Sequence, residues 1–432
     1  MLSRYTQQEI LTSFWRVSAS VRGNTYVHIS GTLSGSDAAE EGAVVCVLEF
    51  SEALTKEDLY GTEISFSERF GPFVYVRADS ASELKFRSSF LVPRSTKLVS
   101  LSFRLWNSSG PLAFEILEID DGEGVSSQLN GRELLVNLSI DVEALPHRAA
   151  SQHVDRLIYG RGWGDFECGV PLLLDVMSDY GVSATCYLEM GSCSLYGDQT
   201  LIDVGKYILD RGADLQLHLH SEVLWRAERW PWSSVSPPRL DNLDLMQTRR
   251  AMGYAIERFK KIRETAPVAF RAGGYLFNAS TVQVGRELGL GAHSNFRADQ
   301  RANNAYDFVS DGPMRPFKWD NGLFELTITI SPEPLNALSA EECWRRILHH
   351  NDVNKSWLVN IVIHSWSLME RGQDGYHSWK GDALLKCLRQ LIMKAPKGVR
   401  FVTAKEVVES LMGGENTVDI VRSTDDLVRR KS

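Results

Sequence analysis

Over the first 120 residues, apolar and polar positions alternate in short runs broken by turn residues. Tyr26–Ser30, Ala43–Phe50, Phe73–Arg77 and Glu83–Val92 read as strands. In Val99-Ser-Leu-Ser-Phe-Arg-Leu105, the apolar Val99, Leu101, Phe103 and Leu105 alternate with Ser100, Ser102 and Arg104. A period of two buries one face and wets the other, as in an antiparallel β-sandwich. No long amphipathic helix interrupts this region, so residues 1–120 are expected to form a β-sandwich domain. Residues 121–132 are polar, glycine-rich and short of apolar anchors, the composition of a linker.

From residue 133 the pattern changes to strands alternating with helices, which implies parallel strands joined by crossovers. Leu134–Ile140, Ser183–Leu188, Asp214–Leu219, Val268–Arg271, Phe324–Ile330, Trp357–Ile363 and Val399–Val402 read as strands. Helices are expected over Val170–Tyr180, Leu201–Arg211, Leu243–Arg263, Thr281–Leu288, Ala340–His350 and Ala383–Lys394, the first two ending at Gly181 and Gly212. About seven such units in residues 133–412 suit a distorted α/β barrel of seven or eight strands better than an open doubly wound sheet. No GxGxxG or GxxxxGK[ST] phosphate loop supports the open sheet. Residues 413–432 are charged and read as a flexible polar tail.

The 432 residues carry 47 Lys plus Arg against 55 Asp plus Glu, a net charge of -8, with 43% hydrophobic and 24% charged residues. This is ordinary globular composition, and its acidity argues against a general nucleic-acid binder while leaving room for a local basic patch. No apolar run reaches the roughly 20 residues of a membrane span. Met1–Ser20 lacks the continuous apolar segment of a secretory leader, and the six cysteines show no CxxC pairing. Both features suit a cytoplasmic chain with reduced thiols.

In a β/α barrel the reacting groups collect at the C-terminal ends of the strands. Four of those ends are unusually polar: Ser139-Ile-Asp-Val-Glu143, Gln216-Leu-His-Leu-His220, Phe270-Arg-Ala-Gly-Gly-Tyr275 and Ile361-Val-Ile-His-Ser-Trp366. Together they bring two carboxylates, three histidines and an arginine, more than core packing accounts for. His218 and His220 fall on one side of an extended strand, because side chains repeat every two residues. One carboxylate and two imidazoles make a three-ligand set with a position left open for water, the pattern of catalytic zinc. Such a metal lowers the pKa of that water toward ~7 and polarises a carbonyl.

This ordered set resembles the polysaccharide deacetylase superfamily, the NodB-homology carbohydrate esterases, over about residues 134–411. The family has a carboxylate pair after its first strand, a histidine pair after the third, an Arg-x-Pro-Tyr stretch after the fourth and a Leu-x-Ile-His stretch late in the barrel. Here Asp141 and Glu143 stand one residue apart, as in a DxD or DxE branch. Glu222 holds the place of the common second histidine, and a diglycine replaces the proline form. The resemblance implies Asp141 as base, Arg271 as the cation paired with it, and Tyr275 as a backbone oxyanion donor. It also implies His364 as acid and a divalent metal, zinc foremost, on Glu143, His218 and His220. Glu222 is the competing ligand if the backbone turns helical after His218. The activity implied is de-N-acetylation of an amino sugar in a glycan or glycan precursor. The alternatives are hydrolysis of another C–N bond, ureide or cyclic amide, and a non-catalytic glycan-binding protein.

Structural roles compete for the same residues: a strand-end turn for Asp141 and Glu143, a polar pair for His218 and His220, a core histidine for His364, an ion pair for Arg271. Glu325 and Asp320 flank a late strand, from which either could orient His364. Trp225, Trp230, Trp232 and Trp366 are candidate sugar platforms, although core packing is the commoner fate of tryptophan. His349 and His350 sit at a helix end, and Gly160-Arg-Gly-Trp-Gly164 reads as a flexible loop over the site.

Overall fold

The computed structural model describes residues 2–5, 10–11, 15–22, 26–34, 44–54, 59, 64–76, 84–92, 96–105 and 112–120, then 133–162, 167–226, 239–297, 315–330, 340–354, 356–372, 375–414 and 416–427. The chain divides into two compact units, with the break after Ser126. The linker expected at 121–132 lies outside the described residues.

The N-terminal unit contains β1 (Leu2–Tyr5), β2 (Ile10–Leu11), β3 (Trp15–Arg22), β4 (Tyr26–Ser34) and β5 (Val44–Phe50). These are followed by β6 (Ser65–Ser67), β7 (Gly71–Val76), β8 (Leu84–Leu91), β9 (Lys97–Leu105) and β10 (Leu112–Asp120). They form two antiparallel sheets, β1-β10-β4-β8 with β2 on β10, and β3-β9-β5-β7-β6. Val27, Ile29 and Phe90 of the first sheet share one apolar core with Cys46, Leu48, Leu101 and Phe103 of the second. The alternation expected along β9 breaks at its start. Ser100 faces Glu49 and Leu98 faces Phe50, so Val99 is the extra residue of a bulge. Val99 is accordingly 37% exposed while Leu98 is buried.

The second unit is mixed α/β. Its strands are β11 (Leu134–Val142), β12 (Thr185–Glu189), β13 (Asp214–Leu219), β14 (Ala269–Ala272), β15 (Ala292–His293) and β16 (Phe317–Trp319). After these come β17 (Phe324–Glu325), β18 (Leu358–His364), the hairpin β19 (Met369–Gly372) and β20 (Gly375–Trp379), β21 (Val399–Phe401) and β22 (Val421–Arg422). The sheet runs β18-β11-β12-β13-β14-β15-β17-β16-β22, with β21 on β11. Its strands are parallel from β18 to β17, whereas β16 runs antiparallel to β17. The barrel expected from the pattern is thus a curled half-barrel sheet. The chain beyond β17 meets β18 through the isolated bridge Ile330–Ile361, with Val362 N–H donating to Ile330 O at 2.9 Å and Thr329 N–H to Asn360 O at 2.8 Å, rather than through a full ladder.

The crossover helices form where apolar spacing and caps coincide. Asp244, Asn278 and Thr403 each close a capping box at the head of Leu245–Phe259, Ala279–Glu287 and Ala404–Gly413. The tail departs from expectation. Val421–Arg422 pairs in parallel with Lys318–Trp319, and Asp320 accepts from the Ser423 hydroxyl at 2.8 Å and Thr424 N–H at 3.2 Å. Part of residues 413–432 therefore belongs to the sheet. Among the described residues, no helix is long and apolar enough to cross a membrane.

Every residue of β11 is buried, yet Asn137, Ser139 and Asp141 on it are polar. They alternate with Val136, Leu138, Ile140 and Val142, which places the polar residues on one face and the apolar ones on the other. The same alternation puts Gln216 and His218 against Leu215, Leu217 and Leu219 on β13. A buried polar column results, and the candidate site stands at its C-terminal end.

Candidate active site

The site is assembled from four strand ends. Asp141 lies beside Tyr187 of β12 and His364 of β18 in the parallel register, and His218 lies beside Arg271 of β14. Glu143 follows β11 directly and is buried; its N–H donates to Ser365 Oγ at 3.3 Å, and the Ser365 hydroxyl lies 3.3 Å from Glu143 O.

Glu143 Oε1 lies 3.0 Å from His218 Nε2 and 3.2 Å from His220 Nε2. The other nitrogen of each ring has its own acceptor. His218 Nδ1 is 2.8 Å from Arg271 O, and His220 Nδ1 is 2.7 Å from Glu222 Oε1. An outer acceptor on Nδ1 is the arrangement that orients metal-binding histidines and would leave Nε2 free for a metal. The ligand atoms of Glu143, His218 and His220 lie within 4.8 Å of one another. Glu143 Oε2 is buried without a hydrogen bond. This donor set fits a divalent cation of zinc type. The ligand atoms of a second group, Asp141, Glu143 and His364, likewise lie within 4.8 Å of one another. It is the weaker set, because Asp141 is engaged elsewhere. Glu222 stands outside both groups, as the hydrogen-bond partner of His220.

Burial raises the Glu143 pKa, but the charge of His220 and hydrogen bonds from both imidazoles outweigh it and hold the carboxyl well below its ordinary range. Burial lowers the pKa of His220, and the carboxylates of Glu143 and Glu222 reverse this, leaving it well above the usual value.

Asp141 belongs to a separate ion pair. Arg271, fully buried, donates from Nη1 to Asp141 Oδ1 at 2.5 Å, from Nη2 to Ser139 Oγ at 3.1 Å and Ser294 Oγ at 3.0 Å, and from Nε to Ser294 O at 3.3 Å. Its guanidinium lies 3.9 Å from the centroid of the Tyr187 ring. A buried guanidinium is tolerable when its donors are engaged this fully. Asp141 Oδ2 is left facing His364, whose Nε2 is 3.9 Å from it and 3.9 Å from Glu143 Oε1. The His364 ring stacks on Trp366 with centroids 4.2 Å apart.

The diglycine has a steric cause. A Cβ on Gly273 would lie 2.5 Å from Cγ and Nδ1 of His220, so the backbone after β14 packs directly on that imidazole. Gly274 and Tyr275 follow, each at φ 60, a left-handed turn that is unusual for tyrosine.

Sequence reasoning missed several contributors. Glu189, buried at the end of β12, accepts from Gly191, Ser192 and His220 N–H at 2.8, 2.8 and 3.1 Å and so fixes the backbone that carries His220. Ser139 and Ser294 orient Arg271. The legible signal for Ser139 was its place two residues before Asp141 on the polar face of its strand; Ser294 follows a strand of two residues and had none.

Glu325 and Asp320 do not orient His364. Glu325 Oε1 accepts from Asn295 N–H at 2.6 Å and Phe296 N–H at 2.9 Å, with Trp319 Nε1 3.4 Å from Oε2. Asp320 closes the turn to Ser423 and Thr424. Trp163, Gly164, Trp230, Trp232 and the side chains of Trp225, His349 and His350 lie outside the described residues.

No family model matches the chain, and no curated protein matches it. Among solved structures it is similar to a provisionally assigned polysaccharide deacetylase from Mycobacterium smegmatis, at 16% identity and a TM-score of 0.47, covering 71% of this chain and 97% of that one. It is also similar to the peptidoglycan deacetylase PdaC from Bacillus subtilis, at 14% identity and a TM-score of 0.34, over 66% of this chain and 95% of the other. A pseudoenzyme of carbohydrate esterase family 4 from Bacillus anthracis is similar at 11% identity and a TM-score of 0.36, over 64% and 66% of the two chains. These likenesses are distant, and what the site can do follows from its own side chains.

Proposed function

We propose that the chain is a divergent member of the polysaccharide deacetylase superfamily that hydrolyses the amide of an N-acetylated amino sugar, in a glycan or glycan precursor, with a divalent metal. The observation that carries this reading is the convergence of Glu143, His218 and His220, each histidine held from behind by an acceptor, next to the separate Asp141–Arg271 pair. These three residues would hold the metal, zinc being the best match to two imidazoles and a carboxylate; when bound it supplies Lewis acidity to water and to the amide carbonyl.

The remaining work falls to groups of this chain. Asp141, with Oδ1 on Arg271 and Oδ2 facing the gap, takes the proton of the attacking water as the C–O bond forms. His364 stands across that gap and gives a proton to the departing amine as the C–N bond breaks, since an amide nitrogen leaves only when protonated. The left-handed turn at Tyr275 would present its backbone N–H to the developing oxyanion. The paired N-terminal sheets are read as a β-sandwich accompanying this unit.

The test combines metal analysis with an acetate-release screen over N-acetylated sugars, lipid-linked precursors and polymers. One divalent ion per chain is expected. Asp141→Asn should keep the metal and lose roughly 100-fold or more in turnover, the range of a general base. Absence of bound metal, or turnover in Asp141→Asn near that of the wild type, would overturn the reading.

A further inference from the structure

The mouth of the site carries more positive charge than the chemistry above uses. The short 3₁₀ turn Pro146–Arg148 follows Glu143, and the hairpin β19–β20 packs on it so closely that a Cβ on Gly375 would lie 2.4 Å from Arg148 O. These two rim elements supply Arg148 and Arg371.

Arg148 is partly buried, its side chain 18% exposed, and its Nε is buried without a hydrogen bond. Its one acidic neighbour among the described residues is Glu143, 3.6 Å away and already shared by His218 and His220. The guanidinium lies 4.1 Å over the Trp366 ring, which itself stacks on His364. Arg371 is exposed, and among the described residues its side chain forms no ion pair; the adjacent Glu370 is taken by Lys380 at 3.3 Å. Burial, then the Arg148 cation and His220, with a last and smaller contribution from Arg371, outweigh Glu143 and hold His147 below the ordinary histidine value. On a chain of net charge -8, this rim is a local exception. A buried Nε–H without a hydrogen-bond partner is costly unless a ligand supplies the missing acceptor, and a planar fork of donors suits phosphate or carboxylate oxygens.

We infer that the site takes an amino sugar bearing an anionic group, phosphate or carboxylate, which Arg148 and Arg371 receive at the rim beside His364 and Trp366. This rests on the amino-sugar reading above and narrows its substrate class.

The experiment measures calorimetric affinities of the full chain for three probes: N-acetylglucosamine, N-acetylglucosamine 1-phosphate and N-acetylmuramic acid. At least one charged probe should bind tenfold or more tighter than the neutral sugar, and which of the two does so identifies the anion. That ratio should fall toward one in Arg148→Gln and Arg371→Gln, fall less in the corresponding Lys variants, which keep the charge but not the fork, and shrink in the wild type as salt is raised. Because it is a ratio within one protein, general damage by a substitution does not mimic it. Equal binding of charged and neutral sugars, no binding of either charged probe, or a ratio that survives both Gln variants would overturn the inference. Acetate release from neutral sugars with no gain from charge removes this inference and leaves the proposed activity standing. Tight binding of a charged probe with no acetate released from any substrate does the reverse.

Discussion

At the scale of single residues, the site depends on side chains that hold other side chains in place. His220 is fixed on three sides: its N–H by Glu189, its Nδ1 by Glu222, and its ring face by the bare backbone of Gly273. Gly273→Ala should therefore push the imidazole aside and weaken zinc affinity by about 10- to 100-fold, the range seen when support around a metal ligand is lost. Zinc titration of the apo protein, with circular dichroism to show that the fold persists, checks this; unchanged affinity would mean that the close approach is incidental. The ligand candidates themselves were legible in the sequence, because an HxH or DxE spacing on a strand puts both side chains on one face. Their supports were less so: Glu189 lies on a strand whose other residues give no hint of a site, and the role of Gly273 depends on a contact from a residue 53 positions away.

At the scale of elements, most long crossover units formed where periodicity and caps agreed; the ten-residue helix Ala404–Gly413 went unread despite its Thr403 cap, and other differences arose where elements were too short to show a period. β15 spans two residues and β16 three, which leaves no pattern to read, and of the strand expected over Phe324–Ile330 only Phe324–Glu325 forms a ladder. β22 is equally short, and its charged surroundings look like a tail although it closes the sheet edge beside β16. Ending the chain at Gly414 would remove that strand, the Arg315–Asp419 ion pair and both bonds to Asp320. Bonds of this kind are worth roughly 1 kcal/mol or less each, so the thermal midpoint should fall by a few degrees rather than collapse. Differential scanning fluorimetry of the shortened chain measures this, and an unchanged midpoint would show that β22 adds nothing to the sheet.

At the scale of the whole molecule, a carboxyl buried away from the reaction couples global stability to pH. Burial raises the Glu325 pKa to about 7, against the opposing pull of the Asn295 and Phe296 N–H groups, Trp319 and the more distant Arg271. A carboxyl whose pKa is higher in the folded than in the unfolded chain favours folding while protonated. That stability is fully present below the unfolded value of about 4.3 and is lost as pH rises to about 7. The shift corresponds to about 4 kcal/mol in total. Glu325→Gln keeps an acceptor for the two N–H groups and cannot ionise. Its stability relative to the wild type should thus rise by about 2 kcal/mol between pH 5 and pH 8, read from urea unfolding at both. A difference that stays constant across that interval would place the titration elsewhere.

The sequence alone determined what local pattern can encode. Alternation along β11 and β13 put Asp141, His218 and their neighbours on one strand face, and caps and apolar spacing placed the crossover helices. The order of four polar strand ends carried the resemblance on which the proposed amide hydrolysis rests. Tertiary structure decided what depends on distance through space. It set Glu222 against the back of His220 and drew Glu325 away from His364. It also set Arg148 and Arg371 on two rim elements more than 200 residues apart in the chain. The physical reason is that periodicity fixes the face on which a side chain emerges, whereas the partner it meets depends on how the sheet curls and which loop ends pack against one another.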